Sequence, residues 1–215
     1  VPPAAGPNGD LPMTGDHDHT DPPSDETLRV KALESLLVEK GLINSEAVDA
    51  IIDQFENHIG PHLGARVIAR AWTDPDYRAR LLDDSWPALQ ELNVGGVEAS
   101  EVVVLENTPE VHNLVVCTLC SCYPWALLGL PPNWYKSPAY RSQAVKNPRD
   151  MLAEFGVKVP ADKEVRVWDS NSDIRYLVLP ERPTGTGDLN EAELAALVTR
   201  DAMVGTGVIA TPVGK

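Results

Sequence analysis

The sequence predicts an α+β fold, an N-terminal helical arm followed by a layered α-β-β-α domain, and three observations carry that prediction. Apolar residues recur at helical spacing after residue 24, short β-branched runs cluster in the centre of the chain, and helix-start signals return near the C-terminus. With 215 residues and 43% hydrophobic side chains, the chain can bury a sizeable core.

Residues 1–24, "VPPAAGPNGDLPMTGDHDHTDPPS", are rich in Pro, Gly and Asp, lack Lys and Arg, and hold too few large apolar side chains to offset the entropy of ordering. They are expected to form a disordered acidic tail, in which His17 and His19 read as solvated rather than as metal ligands. Residues 25–72 are expected to form the arm. Its first helix takes Ser24 as N-cap, Asp25 and Glu26 in the first turn, apolar Val30, Leu33 and Leu37, and Gly41 as stop. A second is capped by Ser45, carries Val48, Ile51, Ile52, Phe55 and Ile59 on one stripe, and ends at Gly60-Pro61. Two such helices beside a tail suit an arm packed on a partner chain, and covering this chain's own core is the other reading.

Residues 73–206 are expected to form the principal domain. Asp74 and Pro75 start a third helix, because a proline at the first helical position loses no hydrogen bond. "SWPALQELNVGG" adds a short helix with a glycine stop, and "EVVVLENT" and "NLVV" read as strands. "LGLPPNWYKSP" is too rich in Pro and Gly for regular structure, and Asn147 with Pro148 caps a short helix ending at Gly156. "EVRVWDS" and "IRYLVLPER" read as two strands of a hairpin joined by "SNSD". Asn190 with Glu193 forms a capping box for a helix to about Met203, and residues 207–215 are a C-terminal tail.

A formal charge of −14 repels phosphate backbones and anionic lipid, so no nucleic acid and no membrane is expected as a partner. No apolar run approaches the roughly 18 residues of a membrane span, and the N-terminus lacks the order of a signal peptide, so a cytoplasmic location is expected.

All three cysteines fall within "VVCTLCSCYPW", at positions 117, 120 and 122. Their odd number and close spacing do not suit a disulfide framework. A closed zinc site needs four ligands, with His112 the near candidate for the fourth; an iron–sulfur cluster usually takes four cysteines; a Cys-x-x-Cys redox pair leaves Cys122 unexplained. A three-sulfur metal site with open coordination leads on the residues alone.

"VCTLCSCYPW", with "LGLPPNWYKSPAYRS", "RVWDSNSDIRYLVLPERPTGT" and "LVTRDAMVG", resembles the alpha subunit of nitrile hydratase from about Leu28 to Gly205. The resemblance implies a claw in which the sulfurs of Cys117, Cys120 and Cys122 and the deprotonated amide nitrogens of Ser121 and Cys122 hold a low-spin trivalent metal, with a sixth position open. It implies sulfinate at Cys120, sulfenate at Cys122 and thiolate at Cys117, the oxygenated sulfurs receiving hydrogen bonds from arginines of a beta subunit. Thr118 and Tyr123 match the cobalt-type pattern, so cobalt(III), one per alpha chain, is expected ahead of iron(III). The implied reaction is hydration of a nitrile to an amide, by water activated at the metal or by attack of the Cys122 sulfenate oxygen, with Ser121 beside it.

The same likeness makes Trp125 a candidate for the substrate pocket, and Asp169 and Arg175 candidates for supporting the claw through hydrogen bonds. Gln90 reads as a polar residue on a short helix. Where many relatives have "YPWPVLG" this chain has "YPWALLG", so Ala126 replaces a proline. Partners implied are the beta subunit, in a heterodimer or its dimer, a small nitrile, and a metal-loading activator protein. The metal-bearing subunit of thiocyanate hydrolase carries a similar claw and is the related alternative. A non-catalytic zinc module with His112 as a ligand is the alternative from another class.

Overall fold

The computed structural model describes residues 25–57, 59–94, 101–120 and 122–210. The expectations for the tail to residue 24, the glycine stop at Gly95-Gly96, Ser121 and the last five residues lie outside them. Two compact units divide between Gln54 and Phe55.

The first unit holds α1 (Asp25–Glu39) and most of α2 (Ser45–Asn57). Gly41, at φ 66°, ends α1 with its own N–H on the Val38 carbonyl at 2.9 Å and that of Leu42 on the Leu37 carbonyl at 2.9 Å. The cap of α2 is Asn44, one residue earlier than expected: its Oδ1 accepts the Glu46 N–H at 2.9 Å, and Ser45 is already helical. Leu28, Val30, Leu33, Leu36, Ile51 and Ile52 are all exposed.

The second unit, from Phe55, contains α3 (Pro61–Thr73), although Gly60-Pro61 reads in the sequence as a helix stop. The same proline sits in the first turn of a new helix, whose Leu63, Val67, Ile68 and Ala71 are buried. It packs against α4 (Pro75–Asp83), α6 (Trp125–Leu128), α10 (Glu191–Ala195) and α11 (Arg200–Val204). Asp74 caps α4 as expected, its carboxylate accepting the Tyr77 N–H at 2.9 Å. Helix α5 (Ser85–Glu91) follows, and the left-handed residue after it is Asn93 at φ 55°.

Among the described residues, four strands form two parallel pairs: β1 (Glu101–Glu106) with β4 (Ile174–Leu179), and β2 (Val111–Val116) with β3 (Glu164–Asp169). The expected β3–β4 hairpin does not form. Parallel partners need long crossovers, and the one from β2 to β3 runs through α6, α7 (Asn133–Lys136), α8 (Pro138–Lys146) and α9 (Pro148–Glu154). Thus β3 and β4, although adjacent in sequence, enter different sheets. Helices α4 and α5 cover β1, α11 covers β4, and α8 and α9 cover β2 and β3, which gives the layered α-β-β-α arrangement.

The segment "LGLPPNWYKSP" contains α7 and the start of α8, because its prolines occupy positions before or at helix starts rather than helix interiors. Asn147 stands at the N-cap of α9 without a side-chain capping bond; its amide instead donates to Gln143 Oε1 at 3.2 Å. The Asn190–Glu193 capping box is present, yet the helix ends at Ala195 and a separate α11 begins after Thr199.

Candidate metal centre

Strand β2 carries Val115 and Val116 into the core, and the chain then emerges as a tight loop. Cys117 is fully buried, Cys122 half-buried and Cys120 exposed. Their sulfurs converge: Cys117 Sγ lies 3.4 Å from Cys120 Sγ, which lies 3.0 Å from Cys122 Sγ, and all three fall within 4.8 Å of one another. The Cys120 N–H donates to Cys117 Sγ at 3.3 Å, closing the first turn. Two sulfurs held at about 2.3 Å by one ion stand about 3.3 Å apart at a right angle and about 3.8 Å apart at a tetrahedral angle. The observed spacings bracket the right-angled value, so the sulfurs suit adjacent positions of an octahedral ion better than a tetrahedral zinc site.

His112 does not complete a four-ligand zinc site. It lies five residues back along β2, roughly 16 Å of strand from Cys117. Its ring is buried, with Nε2 donating to the Gly205 carbonyl at 2.7 Å.

Burial pushes the Cys122 thiol up to about 12, helped by its hydrogen bond to Cys120 and by Cys117, while Arg175 opposes the shift. Holding Cys122 as a thiolate here therefore calls for a strongly polarising cation.

The loop is tied down from three sides. Asp169, last residue of β3 and register partner of Val116, accepts the Thr118 N–H at 2.9 Å and the Thr118 hydroxyl at 2.5 Å. Arg175, on β4, donates to the Tyr123 carbonyl at 2.9 Å. Tyr135, on α7, donates its hydroxyl to the Cys122 carbonyl at 2.9 Å. Asp169 and Arg175 thus meet the loop from different sheets. The sequence alone does not single out Tyr135; its one signal is that a buried tyrosine needs a partner for its hydroxyl. Burial holds its phenol well above the usual range, so it remains a donor. Trp125 is half-buried at the start of α6, Gln90 is exposed on α5, and Ser121 is outside the described residues. Ala126 is the second residue of α6 and is buried.

Residues 24–207 match the family model described as nitrile hydratase, alpha chain. This chain belongs to the nitrile hydratase alpha-chain family. The low-molecular weight cobalt-containing nitrile hydratase subunit alpha of Rhodococcus rhodochrous is 57% identical over 184 residues, which cover 86% of this chain and 89% of that one. The cobalt-containing subunit alpha of Pseudonocardia thermophila is 54% identical over 83% of this chain and 88% of its own length. Thiocyanate hydrolase subunit gamma of Thiobacillus thioparus is 39% identical over 86% of this chain and 80% of its own. Among solved structures, a histidine double mutant of the Fe-type nitrile hydratase from Comamonas testosteroni Ni1 superposes with a TM-score of 0.79 at 40% identity, covering 88% of this chain and 94% of that one. The three cysteines of this nitrile hydratase alpha chain lie close enough together to hold one metal ion, which fits a metal-binding claw.

Proposed function

We propose that this alpha subunit hydrates nitriles, R–C≡N plus water giving R–CONH₂, at one cobalt(III) ion held by Cys117, Cys120 and Cys122 and the amide nitrogens of Ser121 and Cys122. The observation that carries the proposal is the pair of sulfur separations, 3.4 and 3.0 Å, within a chain of this family. Bound there, the ion supplies Lewis acidity. The chain's own residues do the rest. Cys120 as sulfinate and Cys122 as sulfenate offer oxygens on the exposed side of the loop, and the Cys122 oxygen is the chain's candidate nucleophile for the nitrile carbon. Trp125 lines the space for the organic group, while Asp169 and Arg175 keep the loop from relaxing.

A beta subunit supplies arginines to the oxygenated sulfurs, in a heterodimer or its dimer, and the exposed apolar side chains of α1 and α2 suit an arm, formed by these two helices, that packs on it. An activator protein loads the metal, and the enzyme works in the cytoplasm; among the described residues no helix is long and apolar enough to cross a membrane.

Elemental analysis and mass spectrometry of the purified assembly test this reading. Cobalt with roughly three added oxygens on the peptide holding residues 117–122 is the expected result, with two chain types rather than the three that thiocyanate hydrolase would give. Cys120→Ser should abolish metal retention and amide formation together; hydration at the parent rate by that variant would overturn the assignment.

A further inference from the structure

We propose that Tyr135 is a positioning residue of the metal-binding loop, its hydroxyl fixing the backbone of Cys122 so that this sulfur faces Cys120; the inference rests on the reading above that the loop holds a metal. Two successive carbonyls are pinned, that of Cys122 by Tyr135 at 2.9 Å and that of Tyr123 by Arg175 at 2.9 Å. The bonds come from α7 and β4, elements that approach the loop independently. With both carbonyls fixed, the peptide planes on either side of Tyr123 cannot turn, and the orientation of the Cys122 residue that precedes them is set. Asp169 holds Thr118, at the other end of the loop, whereas Tyr135 grips the main chain of Cys122, a sulfur-bearing ligand.

Tyr135 is itself rigid. It is fully buried, with Tyr123 edge-on at 5.0 Å between ring centroids, Trp134 at 5.9 Å and Tyr140 at 5.6 Å. A donor fixed in this way holds an acceptor more closely than a solvated side chain would, because little rotamer freedom remains to absorb displacement.

Tyr140 provides a matched control. It belongs to the same aromatic cluster, is also buried, and also donates to a backbone carbonyl, that of Val115 at 2.6 Å, but Val115 is in β2 and is not a ligand. Tyr135→Phe and Tyr140→Phe each delete one phenol–carbonyl bond and keep the ring. Co-expressed with the partner subunit and loaded with cobalt, parent and variants are compared for cobalt per chain and for cobalt release to excess chelator at fixed temperature. Tyr135→Phe is expected to release cobalt on the order of tenfold faster than the parent, the scale of losing a support to a metal ligand. Tyr140→Phe should release it at the parent rate.

Parent-like release from Tyr135→Phe overturns the inference, and so does equal acceleration in both variants, which would reduce the effect to general loss of stability. Should Tyr135→Phe take up no cobalt, 4-aminophenylalanine at position 135 decides: recovered cobalt content supports a positioned donor, and no recovery overturns it. A parent assembly that holds no metal would instead sink the proposed function, and this inference with it.

Discussion

Asp169 receives both donors of a single residue, Thr118: the backbone N–H on one carboxylate oxygen at 2.9 Å and the hydroxyl on the other at 2.5 Å. Parallel pairing places it there, since Asp169 stands beside Val116, one residue before the cysteine loop begins. A carboxylate with two convergent donors forms charge-assisted bonds and fixes the residue following Cys117. Asp169→Ala should therefore speed cobalt loss to a chelator by roughly tenfold. Thr118→Ser keeps both donors and should behave as the parent, whereas Thr118→Val keeps only the N–H and should fall between. Cobalt content after a timed chelator challenge ranks the three variants, and an Asp169→Ala protein that keeps its cobalt like the parent would remove this residue from the site.

A pH prediction follows from His112, the residue that the zinc reading would have used. Burial, with Lys163 adding to it, lowers its pKa below 6.5, against the raising effect of the bond to the Gly205 carbonyl and of Glu181. The unfolded chain, with the ordinary value near 6.5, then binds more protons than the folded chain as pH falls below 6.5, so stability declines with falling pH until the folded value is passed. Above pH about 8 both states hold a neutral ring, and His112 contributes no slope. His112→Gln should flatten the slope of melting temperature between about pH 6.5 and 5. Thermal melts of parent and variant across that range check it; parallel curves would show that His112 does not titrate between the two states.

The site was more legible in the sequence than its surroundings were. Three cysteines within six positions leave few chemistries, and the loop that contains them is short enough for the sulfurs to reach one another. The supports are a different case. Asp169 and Arg175 could be named only through family likeness, because the contacts that give them meaning depend on β3 and β4 joining separate sheets. "SNSD" between two β-branched runs is equally compatible with a hairpin and with a corner, and local sequence does not choose; pairing is decided by burial across the whole domain. Tyr135 was hidden for a related reason. Prolines around it suggested irregular chain, whereas each proline stands at a helix border, where it costs the helix nothing.

One glycine ties the C-terminal helix to the strand that leads into the cysteine loop. Gly205 ends α11 in the left-handed region, at φ 92°, with its N–H on the Asp201 carbonyl at 3.0 Å. A Cβ there would stand 2.0 Å from the Asn113 carbonyl oxygen and 3.0 Å from Leu114 Cα. Neither atom can yield, because both are backbone of β2, and the Asn113 side chain is held by the Glu106 carbonyl at 2.7 Å and by Trp168 Nε1 at 2.9 Å. Gly205→Ala combines a forbidden contact with an unfavourable φ and should cost about 4 kcal/mol or more, lowering the melting temperature by roughly 10 °C. Gly187→Ala supplies the comparison: an added Cβ there meets nothing within 4 Å, so that variant should melt within a degree or so of the parent or slightly above it. Since β2 carries the cysteine loop at its end, a displaced β2 should also lower cobalt per chain in Gly205→Ala. Equal melting temperatures for the two variants would mean that α11 does not seat on β2 as described.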